Sequence, residues 1–287
     1  LFLHGLLLKS LKASFMVTRI EDKTNAMRKN NLLEAILSEL SETRFNKIEH
    51  VSETGSTNSD LVLKAPELPN GFILVADYQT GGRGRLMRDW EAPPSKNLLF
   101  SVLLHPNWLM ERHQLVTPAL ALSTVEALEN LGLRATIKWP NDVMVESEGD
   151  KKIAGILAEY TQQKVSALVV GMGLNIEWPY QEESAPPNSI SLKACGIEKD
   201  RWEILIEILK NFEKRLLEIS LEKGTSTFRQ AHIDKSATLG NQVKVEKSNG
   251  DIEGRAIDIE EDGSLVVENE NGITLITAGD VIHLRKL

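Results

Sequence analysis

The 287-residue sequence is poor in several features that would narrow its function at once. It has a single cysteine, Cys195, so it contains no intramolecular disulfide framework, as is usual for proteins of a reducing compartment. It also lacks a basic excess: its formal net charge is −8, whereas a protein that coats DNA carries a positive surface. The sequence therefore predicts a cytoplasmic protein for which no DNA partner is expected.

No apolar run is long enough to span a bilayer, and the nearest candidate is the stretch of residues 1–15. Lys9 and Lys12 interrupt it, and it lacks a basic start and a small-x-small cleavage site. We expect a disordered extension, such as translation starting upstream of Met16 or Met27 would produce, rather than an export signal. No membrane partner is expected.

Familiar phosphate and metal motifs are missing as well. The Gly-x4-Gly-Lys-Ser/Thr spacing of a Walker loop does not occur, and the glycines of residues 171–175 do not form the Gly-x-Gly-x-x-Gly dinucleotide signature. No cage of carboxylates is evident, so we expect no metal held by the protein alone. Any nucleotide chemistry must therefore depend on other residues.

The middle of the chain, residues 46–234, mixes strand and helix patterns. Predicted strands cover 72–78, 97–105, 136–139, 153–160 and 165–176, and predicted helices cover 115–131 and 200–221. This order predicts an α/β or α+β domain with a mixed sheet. Residues 1–45 contain only one helical pattern, at 31–44, which is too little for a helix-turn-helix DNA-binding domain.

The character of the sequence changes in residues 235–287. Short strand patterns follow one another, separated by turn signals such as Asn271-Gly272. The predicted strands cover 242–246, 254–259, 264–268, 274–277 and 281–284. So many short strands in so few residues predict a small C-terminal β-barrel.

Gly55-Ser56-Thr57-Asn58 has two compatible interpretations. Ser, Thr and Asn are good helix N-caps, and apolar residues follow, so the motif predicts the start of a helix. The same side chains, together with the free N–H groups of a helix N-terminus, can also hydrogen-bond a polar ring.

Residues 79–90 (Gln-Thr-Gly-Gly-Arg-Gly-Arg-Leu-Met-Arg-Asp-Trp) form the most distinctive segment. Glycine permits close backbone approach, and arginine offers a planar fork for carboxylate or phosphate. Gln79 can donate and accept hydrogen bonds, and Trp90 can stack on a flat ring. A solvated basic loop is the alternative, but glycines and arginines interleaved this densely favour a mobile cationic binding loop.

Three further stretches are candidates. In residues 138–142, Pro140 ends a strand in a rigid turn, and both a structural and a functional role stay open. Lys152 stands at the mouth of an apolar strand and is expected to project into a pocket, whereas Lys151 is interpreted as a surface charge. The alternating glycines of residues 171–175 allow a ligand to approach a buried strand.

In this order and spacing, the five stretches resemble the biotin protein ligase family. The matching segments are Gly55–Asn58, Gln79–Arg85, Lys138–Asp142, Lys152–Leu157 and Gly171–Asn175. The resemblance covers residues 48–287, and its specificity comes from the ordered set rather than from any one motif. One departure is Met87, which stands where the family's arginine loop often has a glycine, a change expected to stiffen the loop.

The resemblance implies a catalytic domain at 46–234 with a class II aminoacyl-tRNA synthetase-like fold and an SH3-like domain at 235–287. It implies an ATP-dependent ligase that converts biotin to biotinyl-5′-AMP and then biotinylates a lysine of a biotin carboxyl carrier protein. ATP and biotin are its substrates, and Mg²⁺ is expected to arrive with ATP. The acceptor carboxylase and homodimerisation are left open.

The resemblance also implies roles for individual residues. Lys152, Arg83 and Arg85 are expected to be catalytic. The expected biotin contacts are Ser56, Thr57, Asn58, Gln79, Arg83, Gly84, Arg85 and Lys152. The expected nucleotide contacts are Arg83, Arg85, Arg88, Trp90, Asn141, Asp142 and Asn175.

Three competing interpretations remain open at this point. Lipoate attachment shares the fold of the family, although the loop of residues 81–85 fits the biotin branch better. A biotin-responsive repressor would need a DNA-binding domain, which residues 1–45 do not provide. A catalytically inactive biotin binder would not need Lys152 and the arginine loop.

Overall fold

A computed structural model describes residues 31–284, apart from 147–148, 163, 181–185, 222–223 and 248–249. The predictions made for residues 1–30 lie outside the described residues. None of the helices in the described part of the chain is long and apolar enough to cross a membrane.

The larger sheet has seven strands. They are β1 (Lys47–Val51), β2 (Phe72–Ala76), β3 (Leu98–Leu104), β4 (Ala135–Lys138), β5 (Asp142–Glu146), β6 (Asp150–Thr161) and β7 (Ala167–Leu174). Their order is β1-β2-β3-β7-β6-β5-β4, with β1 parallel to β2 and every other pair antiparallel. This mixed sheet confirms the α/β prediction for the middle of the chain.

Within the described residues, five α-helices accompany the sheets. They are α1 (31–39), α2 (Thr57–Lys64), α3 (Val116–Asn130), α4 (Arg201–Ser220) and α5 (Thr225–Asp234). Helix α4 begins at its N-cap Asp200, whose carboxylate accepts a hydrogen bond from the Trp202 amide at 2.8 Å. Its apolar face packs with α1, α3 and α5 against one face of the larger sheet. We call the apolar cluster between these four helices and the sheet the main core.

Helix α2 covers the other face of the sheet. Leu61 of α2 and Ala65, which caps its end, form a second core with Leu74, Leu103 and Val169, whose chain neighbours point into the main core. Because strand side chains alternate between faces, the central strands must be apolar throughout, and β3 and β7 are buried along their whole length. The start of α2 is thereby fixed against the sheet.

The smaller sheet contains the five short strands predicted near the C-terminus. They are β8 (Gln242–Glu246), β9 (Ile252–Ile259), β10 (Leu265–Asn269), β11 (Gly272–Ile276) and β12 (Asp280–His283), all antiparallel, in the order β11-β10-β9-β8-β12. It has its own apolar core, which also contains Trp139 from the end of β4. The Trp139 indole donates to the Gly263 carbonyl at 3.0 Å.

Trp139 therefore joins the two sheets. Its backbone amide donates to the Thr238 hydroxyl at 3.0 Å, and the segment at Ser236 pairs with Ile137 beside β4. The sequence leaves both a structural and a functional role open for the motif of residues 138–142. Trp139 of this motif has a structural role, because it anchors the smaller sheet. The next residues of the motif, from Pro140, enter the cavity described below.

Candidate active site

A cavity of about 260 Å³ opens between the start of α2, the arginine-rich loop, strands β6 and β7, and the edge of the smaller sheet. All but one of the predicted site residues line it. They are Ser56, Thr57, Asn58, Gln79, Arg83, Gly84, Arg85, Arg88, Trp90, Asn141, Asp142 and Lys152. The five motifs that lie far apart in the sequence therefore meet at one place.

One end of the cavity is a buried network of uncharged polar groups. Ser56 is the N-cap of α2 and accepts from the Ser59 amide, which confirms the capping interpretation. The Gln79 carbonyl accepts from the Thr57 amide at 2.8 Å and from its hydroxyl at 3.0 Å. The Thr57 hydroxyl also lies 2.6 Å from the Ser101 hydroxyl. This arrangement offers fixed donors and acceptors to a small polar ring.

Asn58 takes a more structural place in this network than the sequence suggests. Its carbonyl accepts from Ser101 at 2.6 Å, while its amide nitrogen donates to the Leu157 carbonyl at 3.0 Å and to the Glu159 carboxylate at 2.9 Å. Because both amide hydrogens have protein partners, Asn58 orients Ser101 and has little left to offer a ligand.

Gly171 on β7 makes room for this network. A Cβ atom at that position would lie 2.1 Å from the Asn58 carbonyl oxygen and 2.8 Å from the Ser101 hydroxyl. The alternating glycines of β7 thus allow close approach, as the sequence pattern predicts.

The floor of the cavity is formed by two other glycines. Gly155 and Gly173 are paired across β6 and β7. The indole of Trp90 lies directly on them: a Cβ atom at Gly173 would be 2.2 Å from the ring, and one at Gly155 would be 2.8 Å from it. The indole N–H is buried and has no hydrogen-bond partner within the described residues. This floor suits a flat ring, and the Trp90 indole lies on it.

The arginine-rich loop folds back on itself as a short hairpin. The Gly84 amide donates to the Arg88 carbonyl at 2.7 Å, and the Trp90 amide donates to the Gly82 carbonyl at 2.9 Å. Its tip is a single 3-10 turn at Arg85–Met87. The left-handed residue of this turn is Leu86, with φ of 53°, and not Met87 at the expected glycine position.

Arg83 points to the mouth of the cavity. Its Nη2 donates to the Ser59 hydroxyl at 2.8 Å and to the Glu159 carboxylate at 3.2 Å. Both members of the Arg83–Glu159 pair are about one-third exposed. The pair therefore links the loop to α2 and to β6.

Arg85 and Arg88 face the smaller sheet. Nη2 of Arg88 lies 2.7 Å from Oδ2 of Asp280, an ion pair that does not have the angle of a hydrogen bond, and Nη1 of Arg85 lies 3.8 Å from Oδ1 of the same carboxylate. Burial lowers the pKa of the Arg85 guanidinium, while the carboxylates of Asp280 and Asp142 act in the opposite direction. Asp280 thus brings the C-terminal sheet into contact with the loop.

Lys152 completes the cationic end of the cavity. Its ammonium lies 2.6 Å from the Asp142 carboxylate and 5.5 Å from the centre of the Trp90 ring. The neighbouring Asn141 donates from its side chain to the Ile156 carbonyl at 2.9 Å, which holds the β4–β5 turn against β6. Three arginines and two lysines therefore line one space, and two carboxylates of the same lining pair with three of these cations. The cations are placed to meet an anionic ligand.

Asn175 is the predicted site residue that does not line the cavity. Its side chain donates to the Ile190 carbonyl at 3.0 Å and accepts from Asn97 at 3.1 Å. It is 4% exposed. In this state Asn175 stabilises the chain after β7, next to the floor on which Trp90 lies.

Comparisons with known proteins agree with the motifs. Residues 49–175 match the biotin/lipoate A/B protein ligase family, and residues 238–284 match the biotin protein ligase C-terminal domain. The chain is 33% identical over 254 residues to the biotin–[acetyl-CoA-carboxylase] ligase of Mycobacterium tuberculosis, which covers 84% of this chain and 90% of that protein. This chain belongs to the biotin protein ligase family.

Two more members of the biotin protein ligase family extend the comparison. The bifunctional ligase/repressor BirA of Escherichia coli is 31% identical over 240 residues, covering 80% of this chain and 71% of BirA. The structure of the Aquifex aeolicus biotin protein ligase in complex with biotin and ATP superposes with a TM-score of 0.71 and 31% identity, covering 84% of this chain and 100% of that one.

Three residues at or next to this candidate site have no predicted role in the sequence analysis. Ser101 is the one polar residue within the apolar strand β3, a signal that is present in the sequence. Glu159 ends the apolar run of β6, and Asp280 lies in the C-terminal sheet. Only the fold shows that Glu159 and Asp280 reach the arginine loop, because the contacts span more than seventy residues of chain.

Proposed function

We propose that this protein is an ATP-dependent biotin protein ligase. It activates biotin to biotinyl-5′-AMP and transfers biotin to a lysine of a biotin carboxyl carrier protein. The observation that carries the proposal is one cavity with two chemically different ends. An uncharged polar network around Thr57, Gln79 and Ser101 lies at one end, and Lys152 with the arginines lies at the other.

The polar end suits the ureido ring of biotin, which has one carbonyl and two N–H groups beside an apolar tail. Thr57 and Gln79 line this end of the cavity and are held in place by hydrogen bonds to each other and to the buried Ser101. Such pre-organised groups discriminate strongly against ligands that leave them unpaired. Ser56 and Asn58 support this end of the site from the start of α2.

The cationic end suits the first half-reaction. The biotin carboxylate attacks the α-phosphorus of ATP, forms the acyl phosphate bond of biotinyl-5′-AMP and releases pyrophosphate. Two anions must approach, so their repulsion has to be offset. Lys152, Arg83 and Arg85 provide that positive charge at fixed positions, where it stabilises the transition state most.

In the second half-reaction the uncharged amine of the acceptor lysine attacks the carbonyl of biotinyl-5′-AMP. An amide forms, AMP leaves and the amine loses a proton. Water competes for the same carbonyl, so the site must exclude it until the acceptor arrives. The hairpin of Arg83, Gly84, Arg85 and Arg88 would cover the adenylate, with Trp90 packing over the adenine and Asn141, Asp142 and Asn175 around the nucleotide.

Mg²⁺ accompanies ATP and neutralises part of the charge on its phosphates. Among the residues that the structure describes, no group of three or more His, Cys, Asp or Glu could hold a metal ion. We therefore assign no protein ligand to Mg²⁺.

The wider organisation is part of the same proposal. We infer a catalytic domain at 46–234 of class II aminoacyl-tRNA synthetase-like type and an SH3-like domain at 235–287. We also propose that the protein is cytoplasmic and does not bind DNA. Whether it is a monomer or a homodimer is left open. The net charge of −8 supports ligase activity without repression, and an electrophoretic mobility shift with the upstream regions of biotin-synthesis genes would test it.

The deciding experiment is the transfer of labelled biotin to a purified biotin carboxyl carrier domain, with and without ATP. ATP-dependent labelling of one acceptor lysine is the expected result. A folded enzyme that labels nothing with a competent acceptor would refute the proposal. Competition by unlabelled lipoate, together with transfer of labelled lipoate, would identify a lipoate ligase instead.

A further inference from the structure

Glu159 has an unusual set of partners at the mouth of the cavity. Its carboxylate accepts a hydrogen bond from the Asn58 side chain at 2.9 Å, and it pairs with Nη2 of Arg83 at 3.2 and 3.4 Å. One carboxylate thus contacts the polar network at one end and the arginine loop at the other.

The hydrogen bonds of Arg83 all come from one nitrogen of its guanidinium. Within the described residues, Nη2 alone makes hydrogen bonds, to Ser59 and Glu159, and the side chain lines the main cavity. Nε and Nη1 remain for a ligand. Because Nη2 is held in place, Nη1 or Nε can each donate a single hydrogen bond to a carboxylate without first losing rotational freedom.

We propose that Glu159 is a positioning residue that holds Arg83 ready for the carboxylate of biotin. This inference rests on the function proposed above, because it takes biotin as the ligand. Glu159 does not touch the substrate. It acts on the tail end of biotin through Arg83 and on the ring end through Asn58, and these two actions can be separated by substitution.

Glu159→Gln separates them. A glutamine carbonyl can still accept the hydrogen bond of Asn58, but it no longer carries the charge that holds Arg83. Glu159→Ala removes both contacts. We therefore expect Glu159→Gln to disturb only the tail of biotin and Glu159→Ala to disturb ring and tail.

The ligands for the test are biotin and its primary alcohol analogue, in which an uncharged CH2OH replaces the carboxylate. Equilibrium binding is measured without ATP. For Glu159→Gln we expect biotin to bind about 5- to 10-fold more weakly, because a pre-organised, partly exposed charge contact is lost. The alcohol should bind within about twofold of wild type, and Glu159→Ala should weaken both ligands.

A double-mutant cycle provides the second readout. In the background of Arg83→Ala, the substitution Glu159→Gln should have no further effect on biotin, because it acts through Arg83. The matched control is Glu213→Gln, which breaks another arginine–carboxylate pair, with Arg44, away from the cavity. It should leave the binding of both ligands unchanged.

Several results would overturn the inference. They are wild-type affinity of Glu159→Gln for biotin, tighter biotin binding, equal weakening of biotin and the alcohol, or additive effects with Arg83→Ala. A wild-type protein that binds neither ligand and labels no acceptor would refute the proposed function instead. The two failures are therefore distinguishable.

Discussion

The ammonium of Lys152 and the carboxylate of Asp142 face each other across two neighbouring strands at 2.6 Å. The register of β5 against β6 shifts between Val143 and Met144, and β6 carries the extra residue next to Lys152. Such an irregularity re-aims a side chain. Gly155 also clears its path, since a Cβ there would lie 3.0 Å from the Lys152 ammonium. The strand pairing thus directs Lys152 into the cavity.

We expect Lys152→Ala to impair adenylation while leaving the fold intact. Losing a hydrogen bond to a charged group costs roughly 1.5–3 kcal/mol, which corresponds to about 10- to 150-fold in rate. Pyrophosphate release from biotin and ATP measures this step. Lys151→Ala is the matched control, because it removes the neighbouring lysine, which does not line the cavity. Near-normal turnover of Lys152→Ala would remove Lys152 from the mechanism.

A second prediction concerns Gly171. Gly171→Ala should weaken biotin binding at least about tenfold, because the new methyl group would overlap the buried pair of Asn58 and Ser101. Isothermal titration with biotin checks it. Gly55→Ala is the control, since a Cβ at Gly55 meets nothing within 4 Å. If both variants bound biotin like wild type, the polar network would not be the ring site.

Much of the site could be predicted from the sequence because its residues lie in compact motifs. The Ser56 cap and the loop from Gln79 depend on neighbours in the chain, so local patterns predict them. The barrel-type strands near the C-terminus were predicted for the same reason. Strands β1 and β5 and helix α5 were not, because their patterns are short and their stability comes from partners distant in sequence.

The sequence was less informative about which side chains are free to bind. Asn58 looks like a ligand in a motif, yet its hydrogen bonds are used by the protein. Met87 attracts attention because the family has glycine there, yet the strained backbone falls on Leu86. Both outcomes depend on three-dimensional neighbours, which a pattern of residue types does not contain.

A third prediction concerns the loop of residues 80–90. Biotin and ATP together should slow its hydrogen exchange, because the glycine-rich hairpin and its arginines close over the adenylate. The measurement is exchange mass spectrometry with no ligand, biotin alone, and both ligands. Unchanged exchange with both ligands would contradict closure. Helix α4 serves as an internal reference, since its apolar face is buried in the core away from the loop.

The ion pairs of Asp280 give a related prediction. Asp280→Asn should speed hydrogen exchange of residues 84–88 in the unliganded protein, because it weakens the contacts with Arg85 and Arg88. The control is Asp251→Asn, which affects a pair within the smaller sheet, with Lys244. Equal exchange in Asp280→Asn and wild type would show that the loop is held by its backbone ladder alone.

The last prediction concerns His232 on α5, which is 2% exposed. Neither ring nitrogen has a hydrogen-bond partner within the described residues, and burial lowers the pKa of His232 to about 4. The unfolded chain would protonate this residue near its ordinary pKa of about 6.5. Between these two values the unfolded state binds more protons, so the free energy of unfolding must fall as the pH falls.

The pKa of His232 differs by about two and a half between the folded and unfolded states. Its titration should therefore lower the free energy of unfolding by about 3 kcal/mol in total as the pH falls from 6.5 to 4. Urea unfolding of wild type and His232→Leu at a series of pH values isolates it. The difference between their free energies of unfolding should change with pH across this window and be constant above pH 7. A difference that does not vary with pH would mean that His232 has the same pKa in the folded and the unfolded protein, and would contradict the prediction.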